Sequence, residues 1–155
     1  MLSITKENKQ KQIELFEKQL EIAEKHNIPV IVHSRDATLD TIECLKKYKV
    51  NGVIHSFSGS YETANIYLKM GFLLGINGVV TFKNCNSIEV LKRIGIDNII
   101  LETDSPYLTP VPFRGKKNDP SHIKDIVDYL TKELDVTEEK ISEITEGNIK
   151  RVFDI

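Results

Sequence analysis

Two histidines and two carboxylates are the residues whose types and settings could do chemistry in this chain. His33 closes the run Val30-Ile31-Val32 and is followed by Ser34-Arg35-Asp36. His55 closes Gly52-Val53-Ile54 and is followed by Ser56-Phe57-Ser58-Gly59. Glu102 and Asp104 end the stretch Ile99-Ile100-Leu101-Glu102-Thr103-Asp104, ahead of Ser105-Pro106-Tyr107. Side chains alternate along a strand, so Ile100, Glu102 and Asp104 are predicted on one face and Leu101 and Thr103 on the other. Two acids at the end of a greasy strand are costly to bury unless a positive group meets them. Taken singly, each histidine reads as a hydrogen-bonded strand-end residue, and the acids as a strand end fraying into solvent. Taken together the pattern differs, because only four histidines occur and two occupy equivalent strand ends. Neutral imidazole and carboxylate are donors that suit Zn, Mn or Mg-type ions.

The elements that must position these residues alternate between helix and strand. Ile13, Phe16, Leu20 and Ala23 mark an amphipathic helix from about Lys6 to His26, ended by Asn27-Ile28-Pro29. Val30 to His33 is β-branched and nearly continuous, as in a strand buried on both faces. Leu39, Ile42, Leu45 and Tyr48 carry a second helix, and Gly52 to Phe57 a second strand. A Ser58-Gly59-Ser60 turn leads to a helix through Ala64, Tyr67 and Leu68, which Gly71 closes. Phe72 to Ile76 is the third strand, and Ile88, Leu91 and Ile94 mark the next helix. Strands recur at steps of about 20 to 28 residues, the step of βα units. After the fourth strand, Asp119 and Pro120 supply an N-cap and a first helical position. Ile123, Ile126, Val127, Leu130 and Leu134 then form a buried stripe. A last helix opens near Thr137-Glu138-Glu139, and Gly147 is expected to break it before Ile149, Val152 and Phe153. Four such units fit a small doubly wound sheet or half of a barrel, and in either the C-terminal strand ends form one rim.

Composition bounds the rest. The chain has 155 residues, 40% hydrophobic and 28% charged, with a net charge of −2. That is one globular domain with no global field toward polyanions or membranes. The apolar runs are far too short for a membrane span. Met1 to Gln12 is polar with no signal-peptide core, and Cys44 and Cys85 stand in no CxxC pair. These features point to a cytoplasmic protein with reduced thiols.

The motifs together are specific. Val30-Ile31-Val32-His33-Ser34-Arg35-Asp36-Ala37, His55-Ser56-Phe57-Ser58-Gly59 and Leu101-Glu102-Thr103-Asp104-Ser105-Pro106-Tyr107-Leu108 resemble, in order, the later motifs of the TatD-type metal-dependent deoxyribonucleases. The loop Phe113-Arg114-Gly115-Lys116-Lys117-Asn118-Asp119-Pro120 is similar to theirs as well. The resemblance runs from about residue 10 to the C-terminus. It implies an amidohydrolase-type α/β barrel, a TIM-barrel-type (β/α) metal-dependent hydrolase with two divalent ions (Mg, Mn or Zn), acting on DNA phosphodiester bonds. By it His33 and His55 are metal ligands and Asp104 binds metal at the last barrel strand. Glu102 is left two roles, orienting a ligand or binding the metal-bound water. Asp104 could also take a proton from that water.

Arg35, Arg114, Lys116 and Lys117 stand in loops after strands and are candidates for phosphate contacts. For each lysine a plain solvated loop fits as well, whereas the planar fork of Arg114 suits phosphate better. His122 reads as a surface histidine at a helix start. The family's His-x-His is absent. The chain is therefore expected to be a single partial domain over residues 1–155, about the C-terminal half of the barrel with four βα units. Neither metal site is then complete. Open edges on the first and last strands are expected to make the chain self-associate or to limit its solubility. Two other functions remain open from the residues: hydrolysis of small esters or amides on the same rim, and a non-catalytic remnant or interaction module.

Overall fold

The computed structural model describes residues 2–3 and 8–155. In chain order the elements are β1 (Leu2–Ser3), α1 (Lys9–His26), β2 (Val30–Val32), β3 (Ser34–Arg35), α2 (Thr38–Leu45), β4 (Gly52–Ile54), α3 (Tyr61–Lys69), β5 (Phe72–Ile76), α4 (Ser87–Ile94), β6 (Ile99–Leu101), α5 (Ile123–Leu134) and α6 (Glu138–Phe153). The predicted start of the first helix at Lys6 lies outside the described residues. Strand and helix alternate where the sequence places them, and the third strand spans the predicted residues.

Strand order separates the two architectures that periodicity leaves open. The main sheet is parallel throughout and runs β2-β4-β5-β6, in chain order with no reversal. A doubly wound sheet reverses its order at a switch point, whereas a barrel winds one way. The short strands β1 and β3 form a separate parallel pair.

The two faces of the sheet meet different partners. Val32, Ile54, Leu74, Ile76 and Ile99 pack against apolar residues of the helices, including Leu20, Leu45, Tyr67, Leu91, Ile126 and Leu130. The opposite face carries Val53, Leu73 and Ile100, which meet Ile149, Val152 and Phe153 of α6. Those three α6 residues require a continuous helix. Gly147 therefore does not break it: the helix runs unbroken from Glu138 to Phe153, with Thr137 capping its start. One glycine in a helix interior costs only about 1 kcal/mol, and the packing on both sides of it outweighs that.

The strand edges are treated unequally. Asn148 of α6 donates its side-chain amide to the carbonyls of Asp97 (3.0 Å) and Ile99 (2.8 Å) on the outer side of β6. That edge is thus partly capped rather than fully open. β2 is the other edge of the main sheet. The expectation that the first strand is buried on both faces fails at Ile31, which is 63% exposed. Its register partner Val53 is fully buried, because α6 covers the middle of this face and does not reach β2. Asn148→Ala should cost about 1–3 kcal/mol, since the buried Ile99 carbonyl and the part-buried Asp97 carbonyl lose their donor. Urea unfolding measures it.

Candidate functional site

The ladder of the main sheet continues one or two residues past each strand and delivers the rim residues. His55 N–H donates to the Val32 carbonyl (2.9 Å), Phe57 N–H to Gly75 (2.9 Å) and Glu102 N–H to Ile76 (3.0 Å). The chain then turns sharply. Asp36, Ser56 and Asp104, each just beyond a strand, all adopt left-handed φ values near 54°. Non-glycine residues held there carry strain of about 1–3 kcal/mol and persist only where surrounding contacts fix them.

At Ser56 and Asp104 those contacts converge on one centre. Glu102 Oε2 lies 2.7 Å from His55 Nδ1, and Glu102 Oε1 accepts the Ser56 backbone N–H. His55 Nε2 faces Asp104 Oδ2 at 3.3 Å. Asn77, 3% exposed at the end of β5, donates both amide hydrogens, to Ser56 Oγ (2.7 Å) and to Asp104 Oδ1 (2.9 Å). The Asn77 side-chain oxygen Oδ1 in turn accepts from Val79 N–H (3.1 Å) and starts the short turn Gly78–Thr81. Gly75 leaves room for the carboxylate. A Cβ there would fall 2.5 Å from Glu102 Oε1 and 2.7 Å from its Cδ.

The electrostatics follow from burial. Burial pushes the Glu102 carboxyl above the usual carboxylate range, while the bonds from His55 and Ser56 pull the other way. Burial holds the His33 imidazole below its usual value, helped by the nearby His55. In the tautomer that gives Nδ1–H to Glu102, His55 Nε2 turns its lone pair toward Asp104, an arrangement that suits a cation between them.

The sequence-predicted residues are brought together in part. His55, Glu102 and Asp104 place ligand atoms within 4.8 Å of one another, close enough to hold a metal ion. His33 stands beside this group, its ring centroid 5.5 Å from that of His55. Its Nε2 is buried and, among the described residues, without a partner. An orphaned imidazole nitrogen next to an acid–histidine cluster fits a ligand awaiting a cation. Arg35 lines a cavity of about 390 Å³ together with Asp36, His55 and Ser56. Arg114 lies elsewhere on the rim, over the Phe82 ring. Lys116 Nζ sits 5.6 Å from the Phe113 ring, and Lys117 is exposed. His122 is half-buried rather than a plain surface histidine, with Nδ1 2.7 Å from Asp125 and its ring 4.9 Å from Phe113.

Sequence reasoning missed three residues. Asn77 ends the one strand whose terminal polar residue was not read, although it holds the same place as His55. Gly75 gave no signal, since only the packed carboxylate shows what its missing side chain spares. Asn118, 2% exposed, donates to the carbonyls of Thr103 (2.7 Å) and Tyr107 (2.6 Å). It clamps the basic loop against the segment that carries Asp104.

This architecture, with strands wound one way and ligand-type side chains at their C-terminal ends, is of the TIM-barrel type. Residues 3–154 match the profile of the TatD related DNase family, and the chain belongs to that family. It is 44% identical over 148 residues to the uncharacterized metal-dependent hydrolase YabD of Bacillus subtilis (strain 168), covering 93% of this chain and 58% of that protein. It is 39% identical over 155 residues to the uncharacterized metal-dependent hydrolase YcfH of Escherichia coli (strain K12), covering 97% and 58%. The chain thus spans 58% of the length of these curated relatives. Among solved structures it is similar to YJJV, a TatD homologue from Escherichia coli K12, with a TM-score of 0.90 at 25% identity over 99% of this chain and 61% of that one. A TatD family hydrolase from Entamoeba histolytica shares the fold, with a TM-score of 0.79 at 21% identity over 94% and 57%. Gly75→Ala should displace Glu102 and destabilise the chain by about 1–3 kcal/mol, as overpacking does. Urea unfolding reads the loss, and a crystal structure the displaced carboxylate.

Proposed function

We propose that this chain supplies one side of the catalytic rim of a metal-dependent hydrolase that cleaves DNA phosphodiester bonds. In this reading residues 1–155 form a single partial domain, about the C-terminal half of the barrel. The in-order strands, the missing His-x-His and the 58% span of the relatives support it. The observation that carries the reading is the approach of His55 Nε2 to Asp104 Oδ2 at 3.3 Å, with His33 Nε2, buried and without a partner among the described residues, alongside. Those three side chains would hold divalent metal. Such ions, when bound, lower the pKa of water and neutralise charge on phosphoryl oxygens.

The chain's own residues do the rest. Glu102 accepts from His55 Nδ1 and fixes which nitrogen is left to bind, the usual duty of a carboxylate behind a ligating histidine. This favours the orienting role for Glu102 over direct contact with water. Asn77 holds one oxygen of Asp104 and leaves the other directed at the centre. From there it can accept a proton. Arg35, in the cavity beside His55, can meet a substrate phosphate, and the basic loop with Lys116 and Lys117 adds positive charge at the rim. Among the described residues no helix is long and apolar enough to cross a membrane.

The test is cleavage of a 3′-labelled single-stranded oligonucleotide with Mg²⁺ or Mn²⁺, beside a panel of small esters. Cleavage of the oligonucleotide should require the metal and stop with EDTA. His33→Ala and Asp104→Ala should each reduce it by about 10²–10⁴-fold, the scale of a lost acid–base group. Ester cleavage alone would move the substrate class. Activity unchanged in both variants would make the chain a non-catalytic module.

The same reading has the chain associate through the β2 edge. Ile31 is 63% exposed there, and Leu15 of the adjacent α1 is 60% exposed. Sedimentation velocity should show concentration-dependent association. A sharp monomer with a cooperative melt would refute it.

A further inference from the structure

The loops beyond β4, β5 and β6 enclose a second cleft, of about 540 Å³, whose walls include Ser58, Gly59, Phe82, Asn84, Asn86 and Arg114. Its size falls in the range of sites for small organic ligands. The cleft shares Ser58 and Gly59 with the cavity that holds His55 and Arg35. A chain-like ligand could therefore occupy both at once.

Two residues of this cleft have no structural work to explain them. Phe82 is half-buried yet belongs to neither apolar cluster of the fold. The Arg114 guanidinium sits over that ring, with Cζ 3.8 Å from the centroid. Among the described residues no carboxylate is within salt-bridge distance of Arg114. The pair is nonetheless held in place. Val111 N–H donates to Thr81 Oγ1 (2.9 Å), which fastens the loop bearing Arg114 beside the residue preceding Phe82. The Thr109 hydroxyl donates to the Lys116 carbonyl (2.6 Å) and closes the same loop on itself. The other stacked arginine, Arg93 over Tyr61 at 3.4 Å, is different: Tyr61 packs against the main core, so burial accounts for that pair.

A guanidinium has two faces, and Phe82 takes one. Arg114 is exposed, so its other face is open to the cleft. Planar cations and aromatic rings are what proteins use to stack unpaired nucleobases. Asn84 and Asn86 are exposed, and among the described residues their side-chain amides make no hydrogen bond. An amide offers a donor and an acceptor side by side, which suits the edge of a base.

We propose that this cleft is a nucleobase subsite, in which the base of the nucleotide flanking the cleaved phosphodiester stacks on Arg114 with Phe82 behind it. The position beside the cleaved bond rests on the DNA-cleaving reading, whereas base binding itself does not. Arg114 then serves through its plane as well as its charge.

Fluorescence anisotropy with the whole chain and Ca²⁺ tests this, using two cleavage-resistant phosphorothioate-linked oligonucleotides, one with normal bases and one with abasic sites. Arg114→Lys keeps the charge and loses the plane; Phe82→Leu keeps the bulk and loses the ring. Each should weaken binding of the base-bearing strand by about 5- to 100-fold, the scale of one lost stacking contact. Binding of the abasic strand should not change. Equal losses on both strands, or none on either, would overturn the subsite. Circular dichroism confirms that each variant is folded, and the two substitutions remove the stack independently. Base-dependent binding without cleavage of an ordinary oligonucleotide would overturn DNA cleavage by this chain and leave the subsite. Cleavage with base-independent binding would overturn the subsite alone. Neither binding nor cleavage would overturn both.

Discussion

A half-buried carboxylate at the end of β6 is the group on which the rest of the rim depends. Glu102 is tolerated there because His55 Nδ1 and the Ser56 backbone N–H both meet it. Each of those contacts imposes something further. The bond to His55 sets the imidazole so that Nε2 looks toward Asp104. The bond from Ser56 requires a left-handed turn immediately after β4. The space the carboxylate occupies requires that residue 75 have no side chain. One desolvated acid thus dictates a rotamer and a backbone conformation at the end of β4 and a glycine in β5.

The sheet makes that convergence feasible. Because the strands pair in chain order and all run parallel, their C-terminal ends lie side by side, and residues far apart in sequence become neighbours. The helices seal one face with a continuous apolar layer. The other face is divided: α6 covers its middle with Ile149, Val152 and Phe153, while the upper end stays polar and carries the histidines. Stability and chemistry therefore occupy different levels of the same strands, an arrangement that lets the rim bear strain without unpacking the core.

Much of this was legible in the sequence. Helices with a clear apolar stripe, such as the one through Ile126 and Leu130, declared themselves by their period. The strand ends at His33, His55 and Asp104 stood out because polar, ligand-type residues closed greasy runs. What was not legible depended on partners from distant segments. Gly147 looked like a break because local propensity penalises it, and the contacts of Val152 and Phe153 reversed that. Ile31 looked buried because its strand was apolar, yet whether a face is covered depends on what packs there. Asn77 and Asn118 resemble ordinary loop asparagines until the atoms they bridge are seen.

By itself, then, the sequence determined the inventory of elements, the side chains at the strand ends and the family likeness, because these follow from local period and residue type. The tertiary structure alone decided the order of strands, which nitrogen of His55 meets which acid, and which glycine must stay bare. It also brought Phe82 under Arg114, across a loop that no local pattern links. Those are distances of a few ångströms between residues tens of positions apart, and only packing sets them.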